Sequence, residues 1–170
     1  MDATLTTGVL LREVTQADLP IFFAQQRDSV ANHMAAFTVK YPADHDAFTA
    51  RWARILSDDT IQTGTILYNG QVAGHVVKFE QSGELEVSYW LGRDYWGKGL
   101  ATQALSAFLR DLTMRPLYAR AVKDNLASLR VLEKCGFTVC GHAKDYANAR
   151  GEEVEEVILR LGANVGEEAK

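Results

Sequence analysis

The chain has little cysteine, no surplus of positive charge and no long apolar run, and each shortage excludes something. Cys135 and Cys140 are the only two cysteines in 170 residues. One pair does not make a disulfide framework in a chain of this size, and no histidine stands at zinc-ligand spacing from it. Two free cytosolic thiols and no metal are expected. Basic residues number 18 against 22 acidic ones, a net charge of −4, which gives no support to a general nucleic-acid binder. Residues 1–12, MDATLTTGVLLR, carry neither a basic leader region nor an extended apolar stretch. Without a run long enough to cross a bilayer, the expectation is a cytoplasmic protein with no signal peptide and no membrane partner. Repeats, linkers and low-complexity segments are missing as well. What is present is ordinary for a soluble domain: 47% hydrophobic and 24% charged residues, in a chain long enough to bury a real core. One domain is expected over residues 1–161, with 162–170 a short polar tail.

The pattern along the chain alternates between the two regular periods. Val9–Val14 reads as a strand. Thr15 and Asp18 then form an acidic capping box, and Pro20 sits in the first turn of a helix with Leu19, Phe22 and Phe23 on one face. Residues 28–43 fit a short helix and a loop. Phe48, Trp52, Ile55 and Leu56 mark a second amphipathic helix. Thr63–Tyr68 and Gln71–Glu80 flank Asn69-Gly70, a strong hairpin signal, and Ser82-Gly83 leads into a strand at Glu84–Leu91. Ala101, Leu105, Phe108 and Leu112 repeat with helical spacing. Leu117–Val122 reads as a strand. Asn125 caps a helix that Gly136 ends, and Phe137–Tyr146 with Glu153–Leu161 forms a last hairpin across NARG. The order predicts an α/β fold: a single mixed, mostly antiparallel sheet of about seven strands with helices on both faces.

DYWGKGLATQAL, residues 94–105, places Gly97 and Gly99 directly before a helix. Glycine allows positive φ and close backbone approach, and the first amides of a helix have no intrahelical acceptor. Together they suit a phosphate or pyrophosphate, with Lys98 adding a point charge. The stretch fails the P-loop pattern. It meets only part of the dinucleotide fingerprint, and it lies mid-chain rather than after a first strand. Taken alone, the loop also fits a plain strand–helix turn.

A second stretch, VKDNLASLRVLEKCGF at 122–137, narrows the choice. YWLGRDYWGKGLATQAL followed by NLASLRVLEKCGF resembles the GNAT acetyltransferase superfamily, and within it the branch of ribosomal-protein N-terminal alanine acetyltransferases and their relatives. The two motifs cover residues 86–137, and LLREVTQADLPIFFA fits the family's opening. The resemblance implies acetyl-CoA as donor, with its pyrophosphate on the amides of Gly97, Lys98, Gly99, Leu100, Ala101 and Thr102. It implies a pantetheine arm pairing with Tyr89, Trp90 and Leu91 where the sheet splays, and Asn125 and Ser128 near the sulfur end. The chain departs from the family at Asp94, where Gln or Arg is frequent. That departure touches a side-chain contact and leaves the backbone cradle intact.

Acyl transfer to an amine needs a neutral amine, a stabilised oxyanion and a departing thiolate. A peptide α-amine has a pKa of about 7.7–8.0 and lysine about 10.4, so a general base helps both and helps lysine more. Glu86, just before the YWL segment, is the leading base, against the alternative of a solvated strand glutamate. Tyr146 is the reserve, with a partly buried structural tyrosine as its alternative. Ser128 is the candidate to assist the thiolate, and a backbone N–H within Tyr89–Leu91 the candidate oxyanion donor. His33, His45, His75 and His142 read as surface or satisfied core histidines, and Trp90 and Trp96 as packing residues. Glu152, Glu153, Glu155 and Glu156 read as a solvated charge run. The expected activity is N-acetylation of a primary amine, either a protein or peptide N-terminus or a small molecule. A non-catalytic acyl-CoA-binding regulator on the same fold is the alternative, and dinucleotide binding a weaker third.

Overall fold

Asn69 and Gly70 both adopt positive φ, 50° and 81°, as a two-residue hairpin turn requires. They join β2 (Gln62–Tyr68) to β3 (Gln71–Gln81) in a computed structural model that describes residues 8–162. The expected tail beyond Gly162 lies outside the described residues. The other strands are β1 (Val9–Arg12), β4 (Glu84–Leu91), β5 (Leu117–Val122), β6 (Thr138–Ala147) and β7 (Glu152–Leu161). The helices are α1 (Leu19–Gln26), α2 (Ser29–Ala35), α3 (His45–Ser57), α4 (Leu100–Asp111) and α5 (Leu126–Lys134). The seven strands form one sheet in the order β1-β2-β3-β4-β5-β7-β6. Every neighbouring pair is antiparallel except β4 and β5. The expected α/β class, strand number and mixed sheet are all found.

Strand alternation sorts the side chains to two faces. Val76, Val87 and Leu91 point to one side, where Leu100, Ala104, Leu105 and Leu109 of α4 and Leu132 of α5 cover them. On the other side Phe22 of α1 and Phe48 and Trp52 of α3 pack against Val72 and Val77. Full burial of each such side chain contributes about 1.5–3 kcal/mol, so both layers hold the sheet.

One segment differs from the sequence reading, and one left open is resolved as the short helix and loop that it fits. β1 stops at Arg12, two residues early. The Arg12 guanidinium turns back onto Asp18, donating at 2.7 and 2.8 Å, while the Thr15 amide donates to the same carboxylate at 2.9 Å. The capping box therefore recruits the strand's last side chain, and Glu13 and Val14 lie outside the strand. In the undecided stretch 28–43, the Asp28 side chain accepts from the Val30 amide at 3.0 Å and starts α2; Ala36, at φ 66°, ends it.

Candidate active site

β4 and β5 run parallel and pair at one position, Glu86 opposite Tyr118. Past it the strands part. The far end of β4, Tyr89–Leu91, is held by β3, with Tyr89 opposite Val76, Trp90 opposite His75 and Leu91 opposite Gly74. Gly74 is a steric necessity here: a Cβ on it would collide with the Trp90 carbonyl. The unpaired stretch beyond Glu86, a slot between β4 and β5, lies where the splay is expected, at Tyr89–Leu91.

Beyond β4 the chain makes a short turn, Arg93–Tyr95, and enters α4 through the glycine loop. The Trp96 indole donates to the Leu91 carbonyl at 2.8 Å and fastens the loop to the strand end, while the residue itself stays exposed. Gly97 and Gly99 stand at φ 77° and 76°. A Cβ at Gly97 would meet no protein atom within 4 Å, and one at Gly99 only Gln103 Nε2 at 3.9 Å. The backbone is thus bare on that side. Gly99 is the N-cap of α4, without a capping side chain. The amides of Gly99, Leu100, Ala101 and Thr102 are the four that helix geometry leaves without intrahelical acceptors. This arrangement fits a phosphate-bearing donor held by backbone N–H groups at the positive end of the helix. Lys98 is exposed beside it. Asp94 is exposed too, and its neighbour Arg93 is spent on Asp28 at 3.0 Å.

Asn125 performs the expected capping and more. Its Oδ1 accepts from the Ser128 amide at 3.2 Å, and its Nδ2 donates to the Met34 carbonyl of α2 at 3.2 Å. That second bond ties α2 to the start of α5. Ser128 faces the sheet, where the Tyr89 hydroxyl donates to its Oγ at 3.2 Å. Tyr89 lies among the α4 and α5 side chains, so both residues stand on the same face as the glycine loop. Burial pushes the Tyr89 phenol up, and its bond to Ser128 offsets this only in part.

Glu86 points to the opposite face. It is 5% exposed, so a simple solvated strand glutamate is excluded. Arg120 Nε lies 3.4 Å from its carboxylate, and Arg120 Nη1 donates to Glu156 at 2.8 Å. Burial raises the Glu86 pKa; Arg120 works against that, and Glu156 and Glu84 add to it. Arg120 is the site residue that the sequence reading missed. The available signal was β5 alternation: Ala119 and Ala121 belong to the α4–α5 core, which sends Arg120 to the Glu86 face.

Three other expectations need correction. Glu156 is buried and paired rather than part of a solvated run, because it lies against β5, where Arg120 reaches it at 2.8 Å, while Glu152, Glu153 and Glu155 stay exposed. Tyr146 is 57% exposed rather than partly buried, since it sits on the edge strand β6. His75 is a core histidine but not a satisfied one. It packs 4.7 Å from the Phe22 ring and 5.0 Å from Trp52, and its buried Nδ1 has no hydrogen-bond partner among the described residues. Trp90 Nε1 is in the same condition.

Comparison with known proteins agrees with this architecture. The family model described as an acetyltransferase (GNAT) domain matches residues 9–138. A curated relative, the uncharacterized N-acetyltransferase p20 of Bacillus licheniformis, is 28% identical over 86 residues, 48% of this chain. That match spans 48% of the relative, about half its length. Among solved structures, a ribosomal-protein-alanine N-acetyltransferase from Brucella melitensis superposes with a TM-score of 0.76 at 23% identity, covering 90% of this chain and 99% of the other. A spermidine N-acetyltransferase from Vibrio cholerae, in complex with CoA and spermine, gives 0.75 at 17% identity, covering 91% and 96%. At these identities the structural likeness speaks for the fold. The family match spans most of the chain, and the chain belongs to the GNAT acetyltransferase family, acyltransferases that draw on acetyl-CoA.

Proposed function

We propose that the protein transfers the acetyl group of acetyl-CoA to a primary amine, carried by a protein or peptide N-terminus or by a small molecule. The observation that carries this reading is the sorting of residues about the β4–β5 slot. The glycine loop, Tyr89 and Ser128 lie on the α4–α5 face, and Glu86 lies on the other. A donor laid along α4 and α5 would reach the slot from one side and an acceptor amine from the other. The amides of Gly97–Thr102 would hold the pyrophosphate, and Tyr89, Trp90 and Leu91 would pair with the pantetheine arm. Asn125 would set the start of α5 so that Ser128 stands near the sulfur. When bound, the donor supplies an activated acyl group with a thiolate leaving group. Glu86, with a pKa raised by burial, would take the amine proton through a water. Residues 1–161 would act as one catalytic domain in the cytoplasm, with 162–170 a tail.

The solved relatives include one whose name specifies ribosomal-protein alanine and one bound to spermine, so both peptide and polyamine acceptors belong in the test. The experiment is a CoA-release screen with short peptides, amino acids and polyamines. Turnover with at least one amine class is expected. Tight acetyl-CoA binding without release from any amine would replace the enzyme reading with that of an acyl-CoA-binding regulator. NAD binding that CoA does not displace would favour a dinucleotide site instead.

A further inference from the structure

The Tyr89–Ser128 contact lies on the donor side of the slot and joins β4 to α5 across 39 positions of sequence. Ser128 Oγ can donate one hydrogen bond and accept others. It accepts from the Tyr89 hydroxyl, and among the described residues no acceptor takes the Ser128 O–H. Tyr89 is fixed in its turn, with its ring packed among the core side chains of α4 and α5 and its backbone opposite Val76 on β3. Burial keeps the phenol protonated well into the alkaline range, so it remains a donor wherever the enzyme works. The cap bond from Asn125 to the Ser128 amide fixes the other end of the pair.

We propose that Tyr89 is a positioning residue for thioester cleavage: its hydroxyl occupies the acceptor side of Ser128 Oγ, so that the Ser128 proton is turned toward the departing sulfur. The inference rests on the acetyltransferase reading above and assigns the tyrosine side chain a task separate from strand pairing by its backbone. In the transfer step the C–N bond forms and the C–S bond breaks. Sulfur leaves with the bonding pair, and the amine proton passes through water toward Glu86. Ser128 and Tyr89 keep their protons and contribute hydrogen bonds only. Two hydroxyls in series polarise one another, so the outer bond is stronger than an isolated serine would give. The benefit appears as charge builds on sulfur, which places it in kcat rather than in donor binding.

The test is a double-mutant cycle with Tyr89→Phe, Ser128→Ala and the double variant, at saturating acetyl-CoA with a slow acceptor amine. Tyr89→Phe keeps the ring and removes only the hydroxyl, so the fold should be kept with at most a small drop in melting temperature, and calorimetric CoA affinity should match wild type. Its kcat should fall roughly tenfold, the worth of one oriented hydrogen bond. Ser128→Ala should lose at least as much, and the double variant no more than Ser128→Ala alone, because the phenol then has nothing left to orient. Losses that multiply, an unchanged kcat in Tyr89→Phe, or a loss confined to acetyl-CoA affinity would each overturn the proposal. Those outcomes leave the enzyme reading standing, whereas wild-type protein that releases CoA with no amine overturns both.

Discussion

Glu86 is held between opposing influences. Burial and the neighbouring Glu156 and Glu84 push its pKa up, while Arg120 at 3.4 Å draws it down, and burial dominates. A carboxylate in that position is a better base near neutrality than an exposed one, because its proton affinity lies closer to that of the amine it serves. Glu86→Gln should keep the fold: the amide is nearly isosteric, and Arg120 retains its 2.8 Å bond to Glu156. The expected loss in kcat/KM is roughly 10²–10⁴-fold, the usual contribution of general base catalysis. It should shrink as pH rises and more amine arrives neutral, and it should be greater for a lysine-like acceptor than for an α-amine, whose pKa values differ by about 2.5 units. In wild type, activity should fall on the acid side as Glu86 takes up its proton, at a pH above the ordinary glutamate range. The variant should lack that limb. Profiles of kcat/KM against pH, with acetyl-CoA saturating, decide the matter: parallel curves with less than a few-fold loss would remove Glu86 from the mechanism.

At the scale of elements, the loop between β4 and α4 depends on two backbone positions more than on any side chain. Gly97 and Gly99 adopt φ values near +77° that a β-branched residue avoids, and their open sides face away from protein atoms. Gly97→Val and Gly99→Val should therefore leave the core of α4 packed while displacing the amides that receive a phosphate. Each charge-assisted hydrogen bond lost is worth roughly 1.5–3 kcal/mol, so CoA affinity should fall by at least tenfold. Calorimetry that returns wild-type affinity from both folded variants would rule out the cradle. This loop was legible in the sequence because its signal is local, with glycines, a helix period and a strand end within 16 residues. The capping box at Thr15–Asp18 was legible for the same reason. Its closure by Arg12 was not, nor was the Thr65 hydroxyl that donates to Asp18 at 2.7 Å, since that partner lies 47 positions away. Arg120 escaped in the same way. It meets Glu86 and Glu156 only because β5 lies between β4 and β7, an order that no local period states. Ser128 could be named from its motif, but its link to Tyr89 needed the packing of α5 on the sheet.

For the molecule as a whole, the layer that α1 and α3 lay on the sheet holds a histidine among aromatic rings, and an acid response of stability is expected from it. Phe22, Trp52 and His75 form one aromatic cluster joining α1 and α3 to β3. Burial, with a smaller push from Arg51, lowers the His75 pKa to about 3. In the unfolded chain the same imidazole titrates near 6.5. Between those values the unfolded state binds a proton that the folded state refuses, so stability falls as pH drops below about 6.5, by about 1.4 kcal/mol per pH unit while the difference lasts. Asp18 acts in the same direction but lower. The hydrogen bonds it accepts from Arg12, Thr15 and Thr65 hold its pKa well below the usual carboxylate range, so its share is complete above about pH 5 and is lost only as the pH falls further. The window from about pH 6.5 to 5 therefore excludes Asp18; Glu86, whose pKa burial raises, titrates there with the opposite sign in wild type and variant alike, so the histidine's share is read from the difference between them. His75→Phe replaces the ring with one suited to the cluster and removes the unpartnered Nδ1, so stability near pH 7 should change by less than about 3 kcal/mol in either direction. Its stability should then be flatter than wild type through that window, by about 1.4 kcal/mol per unit. Urea denaturation at half-unit steps of pH measures both slopes. If they coincide, His75 is charged in the folded protein, and the acid response belongs to groups other than the cluster behind Trp90.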